Sequence, residues 1–113
     1  DSTLYVNDSQ ETIVRAYDVT EDGDIANGRP FAAPTDEGAD GSTDGMKVDS
    51  EGNLYTTGPG GVWVYGPDGT QRARIAVPKA PTNLAFGGPD RKTLYITARP
   101  HVYRVSVNIP GAE

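Results

Sequence analysis

The chain has 113 residues, 14 of them glycine and 9 proline, with a formal net charge of −6 and no cysteine. The acidic balance disfavours a phosphate backbone as partner, and no basic run or basic amphipathic helix suggests a membrane surface. The missing thiols exclude disulfides and thiolate metal sites, and the glycine and proline content argues for many tight turns rather than a helical bundle.

In chain order, Leu4 to Asn7 and Ile13 to Val19 read as two antiparallel strands around the polar run Asp8-Ser9-Gln10-Glu11. Asn7-Asp8-Ser9 matches the glycosylation sequon, a match too short to carry weight. Glu21-Asp22-Gly23-Asp24 is a turn, and a weak third strand is expected over Gly28 to Ala32 before an acidic loop, Pro34 to Thr43. Gly45 to Asp49, Leu54 to Thr57, Val62 to Tyr65 and Arg72 to Val77 then form four strands. The turns Ser50-Glu51-Gly52-Asn53, Gly58-Pro59-Gly60-Gly61 and Gly66-Pro67-Asp68-Gly69 separate them. Val62-Trp63-Val64-Tyr65 alternates as a half-buried strand would. A last unit runs through Asn83 to Phe86, a strand around Leu94-Tyr95, and His101 to Val107.

The pairs Leu4-Tyr5, Leu54-Tyr55 and Leu94-Tyr95 mark a repeat, the second and third being 40 residues apart. Short strands repeating at that period indicate β-propeller blades. The expected fold is all-β: two to three blades of a propeller, with residues 1–33 giving strands of one blade, 44–78 a complete blade and 82–108 an incomplete last one. A lone blade cannot bury both faces of its sheet, so further blades or another chain are needed to complete such a fold. The recurring tyrosines, Tyr5, Tyr55, Tyr95 and Tyr17, Tyr65, Tyr103, read as packing between adjacent sheets. Trp63 is expected to face either another blade or the outside.

Chemistry is expected where the innermost strand of a blade begins. Asp44, in Ser42-Thr43-Asp44-Gly45-Met46, stands there; it suits a hard cation or a proton transfer from water, and equally a plain Asp-Gly turn. Thr82 and Asn83 begin the equivalent strand of the next unit. Arg99, Pro100 and His101 form a loop near the same mouth, but one histidine builds neither a zinc site nor a triad. The acidic stretches from Asp18 and Asp36 lack the closing glutamate of an EF-hand.

Three stretches, Leu4-Tyr5-Val6-Asn7-Asp8-Ser9, Asp44 through Tyr55, and Asn83-Leu84-Ala85-Phe86-Gly87-Gly88, resemble the gluconolactonase family that includes senescence marker protein (regucalcin). The resemblance covers nearly the whole chain and corresponds to the C-terminal third or more of a six-bladed propeller. It implies hydrolysis of a sugar lactone such as gluconolactone, and one divalent metal in the channel, Ca²⁺ first, with Zn²⁺, Mg²⁺ or Mn²⁺ as alternatives. In the family the metal is held by a Glu, an Asn and an Asp. Only the Asp carries over, onto Asp44, which the resemblance makes both metal ligand and catalytic base; Asn83, by its place at the start of the equivalent strand, is expected either to touch substrate or to serve as a structural turn residue. With the other ligands absent, the chain alone is expected to be inactive. The alternative is a propeller segment that binds a ligand or protein without catalysis.

Overall fold

The computed structural model describes residues 3–112. Ten strands form three antiparallel sheets in chain order. The first holds β1 (Thr3–Asp8), β2 (Ile13–Val19) and β3 (Ile25–Ala32). The second holds β4 (Met46–Val48), β5 (Leu54–Gly58), β6 (Gly61–Tyr65) and β7 (Gln71–Ala76). The third holds β8 (Asn83–Gly87), β9 (Thr93–Ala98) and β10 (His101–Ser106). Each sheet is a meander whose strands pair with their sequence neighbours, as short turns between antiparallel strands require.

β3 starts three residues before the expected Gly28. Asn27, at φ 56°, sits where the β2–β3 register shifts, and this irregularity breaks the alternation that would mark a strand in sequence. Its amide nitrogen donates to the Asp18 carboxylate at 2.8 Å, which with the nearby Arg29 holds that carboxyl below the usual range. The irregularity is thereby tied down from the neighbouring strand.

The middle sheet lies between the other two, and its central strands are buried along their whole length. The half-buried alternation expected of Val62 to Tyr65 is therefore corrected: both faces of β6 are covered. Val62 and Val64 pack with Tyr55 against Leu84, Leu94 and Ile96 of the third sheet. Trp63 and Tyr65 pack with Leu54 against Val14 and Ala32 of the first. Trp63 thus faces another sheet, with its indole N–H donating to the Pro59 carbonyl at 3.0 Å and Arg74 lying 4.5 Å over its ring.

The tyrosine repeat follows this geometry in the middle sheet, where Tyr55 and Tyr65 pack against its two neighbours. Tyr55 meets Phe86 of the third sheet edge to face at 5.1 Å, whereas Tyr5 meets Phe31 of its own sheet at 4.9 Å. Tyr95 departs from the expectation, being 39% exposed, because no sheet among the described residues covers that face of β9. Beyond β10 the chain turns back across the middle sheet. Ala112 N–H donates to the Val48 carbonyl at 3.0 Å and Ser50 N–H to the Pro110 carbonyl at 2.8 Å, so the segment bridges two sheets at the trailing end of β4.

Two outcomes follow. Leu94→Ala should lower the unfolding free energy by about 2–5 kcal/mol, while Val102→Ala, at an exposed position, should change it by less than about 0.5 kcal/mol. Urea unfolding followed by Trp63 fluorescence measures both. Burial pushes the Tyr65 phenol up to about 12, against about 10 in an unfolded chain. Between those values the unfolded chain sheds a proton that the folded one keeps, so the contribution of Tyr65 to stability should be level below pH 10 and fall as pH rises toward 12. A 295-nm titration of phenolate, compared with Tyr65→Phe, should show the late-titrating group only in the native chain.

Candidate active site

Antiparallel pairing places the start of β4, the end of β5, the end of β1 and the start of β8 at one rim of the three sheets. Asp44 stands there, just ahead of β4. The acidic loop that leads to it is anchored on the way. Asp36 pairs with Arg74 at 2.6 Å, and the Asp40 carbonyl accepts from Gly60 N–H at 2.8 Å. Gly41, at φ 127°, passes so close to Gly58 and Pro59 that a Cβ would meet the Gly58 carbonyl carbon at 3.2 Å. Only glycine threads that gap.

From Ser42 to Gly45 the backbone is held by groups from all three sheets. The buried Thr57 hydroxyl of β5 donates to the Ser42 carbonyl at 3.0 Å and accepts from the Asp44 N–H at 2.9 Å. Ser9 donates to the Thr43 carbonyl at 2.6 Å, and the Thr43 hydroxyl donates to the Asp8 carbonyl at 3.0 Å. The Asn7 side-chain amide donates to the Asp44 carbonyl. Gly45 N–H donates to the Thr82 carbonyl at 3.1 Å, and its carbonyl accepts from Thr57 N–H at 3.0 Å. Asp44 itself is exposed, and among the described residues no hydrogen bond or ion pair ends on its carboxylate. The peptide is fixed while the charged group is left open to solvent and ligand.

Asn83 begins β8 beside this turn. A Cβ on Gly45 would meet the Asn83 Cα at 2.6 Å, so the two inner strands approach as closely as backbones allow. The Asn83 carbonyl oxygen of the side chain accepts from Leu84 N–H at 2.8 Å, and Asn83 also lines a depression of about 130 Å³ with Ala85, Tyr95 and Thr97. The structure thus brings Asn83 to within one residue of Asp44 along the rim. Arg99 and Pro100 form the β9–β10 turn, and His101 opens β10 with its ring centroid 5.8 Å from that of Tyr103 at a tilt of 52°.

Asn7, Ser9 and Thr57 were not singled out in the sequence as part of the site. A signal for two of them exists. Asn7, Thr57 and Thr97 each stand two residues after the tyrosine of a Leu-Tyr pair, and each uses its side chain on the backbone leading into an inner strand. Thr97 does this for the third sheet, its hydroxyl lying 3.3 Å from the Asn83 carbonyl and 3.0 Å from the Thr82 hydroxyl.

As for a metal, no group of three or more His, Cys, Asp or Glu among the described residues is placed to hold one. Ca²⁺ takes about six to eight oxygen ligands. Asp44 can be one of them; the described residues do not fit a complete site.

Three meandering sheets packed face to face, with β4 and β8 starting and β1 ending at one rim, define a segment of a β-propeller. Residues 1–99 match the family described as SMP-30/Gluconolactonase/LRE-like region, and the chain belongs to that family. It is 42% identical over 100 residues to an L-arabinolactonase of Azospirillum brasilense, covering 86% of this chain and 32% of that protein. With a gluconolactonase of Zymomonas mobilis it shares 38% identity over 77 residues, 67% of this chain and 22% of the relative. Among solved structures, a luciferin-regenerating enzyme superposes with a TM-score of 0.86 at 26% identity, covering 98% of this chain and 43% of that one. The chain therefore spans a third or less of the length of these two sequence relatives.

Gly45→Ala should force the β4 and β8 starts apart and lower stability by about 1–3 kcal/mol, because its Cβ would overlap the Asn83 Cα as well as that residue's side chain. Removing the Asn83 side chain in the same protein should restore little of that loss. Chemical denaturation of the single and double variants decides the point.

Proposed function

We propose that this chain is a segment of a sugar-lactone hydrolase and that Asp44 is its general base. The observation that supports this most is the exposed, unpartnered Asp44 carboxylate on a backbone held from three sheets. A base must be open to its substrate, yet held within hydrogen-bond reach of the proton it removes. Relatives named L-arabinolactonase and gluconolactonase give the substrate class.

In the proposed reaction a water oxygen attacks the lactone carbonyl carbon while Asp44 takes the water proton. The ring C–O bond then breaks, and the Asp44 carboxyl returns its proton to the ring oxygen, giving the open hydroxy acid and restoring the carboxylate. Asn83, whose amide nitrogen has no partner among the described residues, is the group left to donate to a substrate hydroxyl. A divalent cation, as the family resemblance implies, would find one carboxylate ligand in Asp44; its remaining ligands would lie outside residues 3–112. The chain alone should therefore be inactive.

The test is pH-stat hydrolysis of L-arabinono- and gluconolactone, corrected for spontaneous opening, with Ca²⁺ or Zn²⁺ against a chelator. It compares the chain alone with a completed propeller in which residues 1–113 replace the matching segment of the Azospirillum enzyme. Only the completed protein should turn over, and Asp44→Asn should cost it about a hundredfold or more. A folded, active chimera indifferent to Asp44→Asn would refute the assignment.

A further inference from the structure

We infer that Thr57 is a positioning residue for Asp44, an assignment that rests on the reading of Asp44 as the catalytic base. Thr57 is completely buried, and its hydroxyl is used in both directions, donating to the Ser42 carbonyl and accepting from the Asp44 N–H. Its own N–H closes on the Gly45 carbonyl. One residue thus holds the Ser42 carbonyl, the Asp44 N–H and the Gly45 carbonyl, and ties them to β5, a strand covered on both sides. Asn7 and Ser9 reach the same turn from the first sheet, but from partly or fully exposed positions.

The carboxylate has no hydrogen bond of its own to orient it. Its direction therefore depends on the backbone torsions of Asp44: Thr57 holds the peptide ahead of that residue from a buried position, while Asn7 and Thr82 hold the peptide after it. Preorganising a reactive group through its supporting shell is worth most where the group itself must stay free for substrate. The equivalent hydroxyl of the third sheet, Thr97, sits at the same place in the repeat but is exposed, and it serves Thr82 and Asn83 instead of an acid. That difference supplies an internal control.

Thr57→Val keeps the shape and removes the hydroxyl, leaving the Asp44 N–H without its acceptor. In the isotopically labelled chain, amide exchange at Asp44 should quicken roughly tenfold, the order expected for losing one hydrogen bond. The Asp44 carboxyl ¹³C signal should shift or broaden with it. Amides of Leu54, Val62 and Ile96 should keep wild-type exchange, Thr57→Ser should restore Asp44, and Thr97→Val should leave Asp44 untouched. In the completed propeller described above, Thr57→Val should lower kcat with little change in KM, and Thr57→Ser should recover it.

Wild-type exchange and carboxyl signals at Asp44 in Thr57→Val would overturn the inference. So would loosening spread evenly over the middle sheet, which would make Thr57 a packing residue only. If Thr57→Val frees the Asp44 turn but Asp44→Asn hydrolyses lactone normally, the lactonase reading fails and the clamp has no catalytic role. The two failures are thus distinguished.

Discussion

The middle sheet must be covered on both faces, and most of this molecule follows from that constraint. A β-sheet whose two faces are both apolar gains its stability only between two neighbours. β5 and β6 meet this requirement by dividing their side chains: Val62 and Val64 go to one neighbour, Trp63 and Tyr65 to the other. Once the three sheets are stacked in this way, β4 and β8 start, and β1 ends, at a common rim. The neighbouring sheets that complete the core are the same ones that supply Asn7, Ser9 and Thr82 to the Asp44 turn. Core and site are therefore consequences of one packing arrangement.

That shared origin explains how the rim is built. A loop leaving one sheet for the next cannot satisfy its peptide groups within a regular ladder, so they must find partners elsewhere. Here they find side-chain and backbone groups at positions the sheets already fix. The outcome is a turn rigid in its backbone and open at one carboxylate, which suits a group that has to meet a substrate and exchange a proton with it. The segment after β10 acts at the other end of β4, where it joins Val48 and Ser50 and ties the second and third sheets together.

Much of this was legible in the sequence, for identifiable reasons. The Leu-Tyr repeat announced the strands and their period, since period-2 alternation and Asp-Gly or Pro-Asp-Gly turns are local signals. Asp44 stood out through its motif. Local signals fail where two sheets meet: that Asn7 reaches across 37 residues to Asp44, or that Thr57 serves both Ser42 and Asp44, depends on how strands stack. The same limit hid the burial of both faces of β6, because a strand covered on both sides by residues of different size still reads as alternating. β3 was underestimated because its irregularity at Asn27 interrupts the pattern. Tyr95 shows the converse, a repeat position whose partner sheet is not among the described residues.

The central claim is that the Asp44 carboxylate faces the reacting atoms of a bound lactone. A crystal structure of the completed propeller with an open-chain sugar acid, the product of lactone hydrolysis, addresses it most directly. The account predicts the product's carboxylate at the rim, with Asp44 within about 3.2 Å of it directly or through one water. A product bound elsewhere, with Asp44 turned away or sealed under the acidic loop, would contradict it.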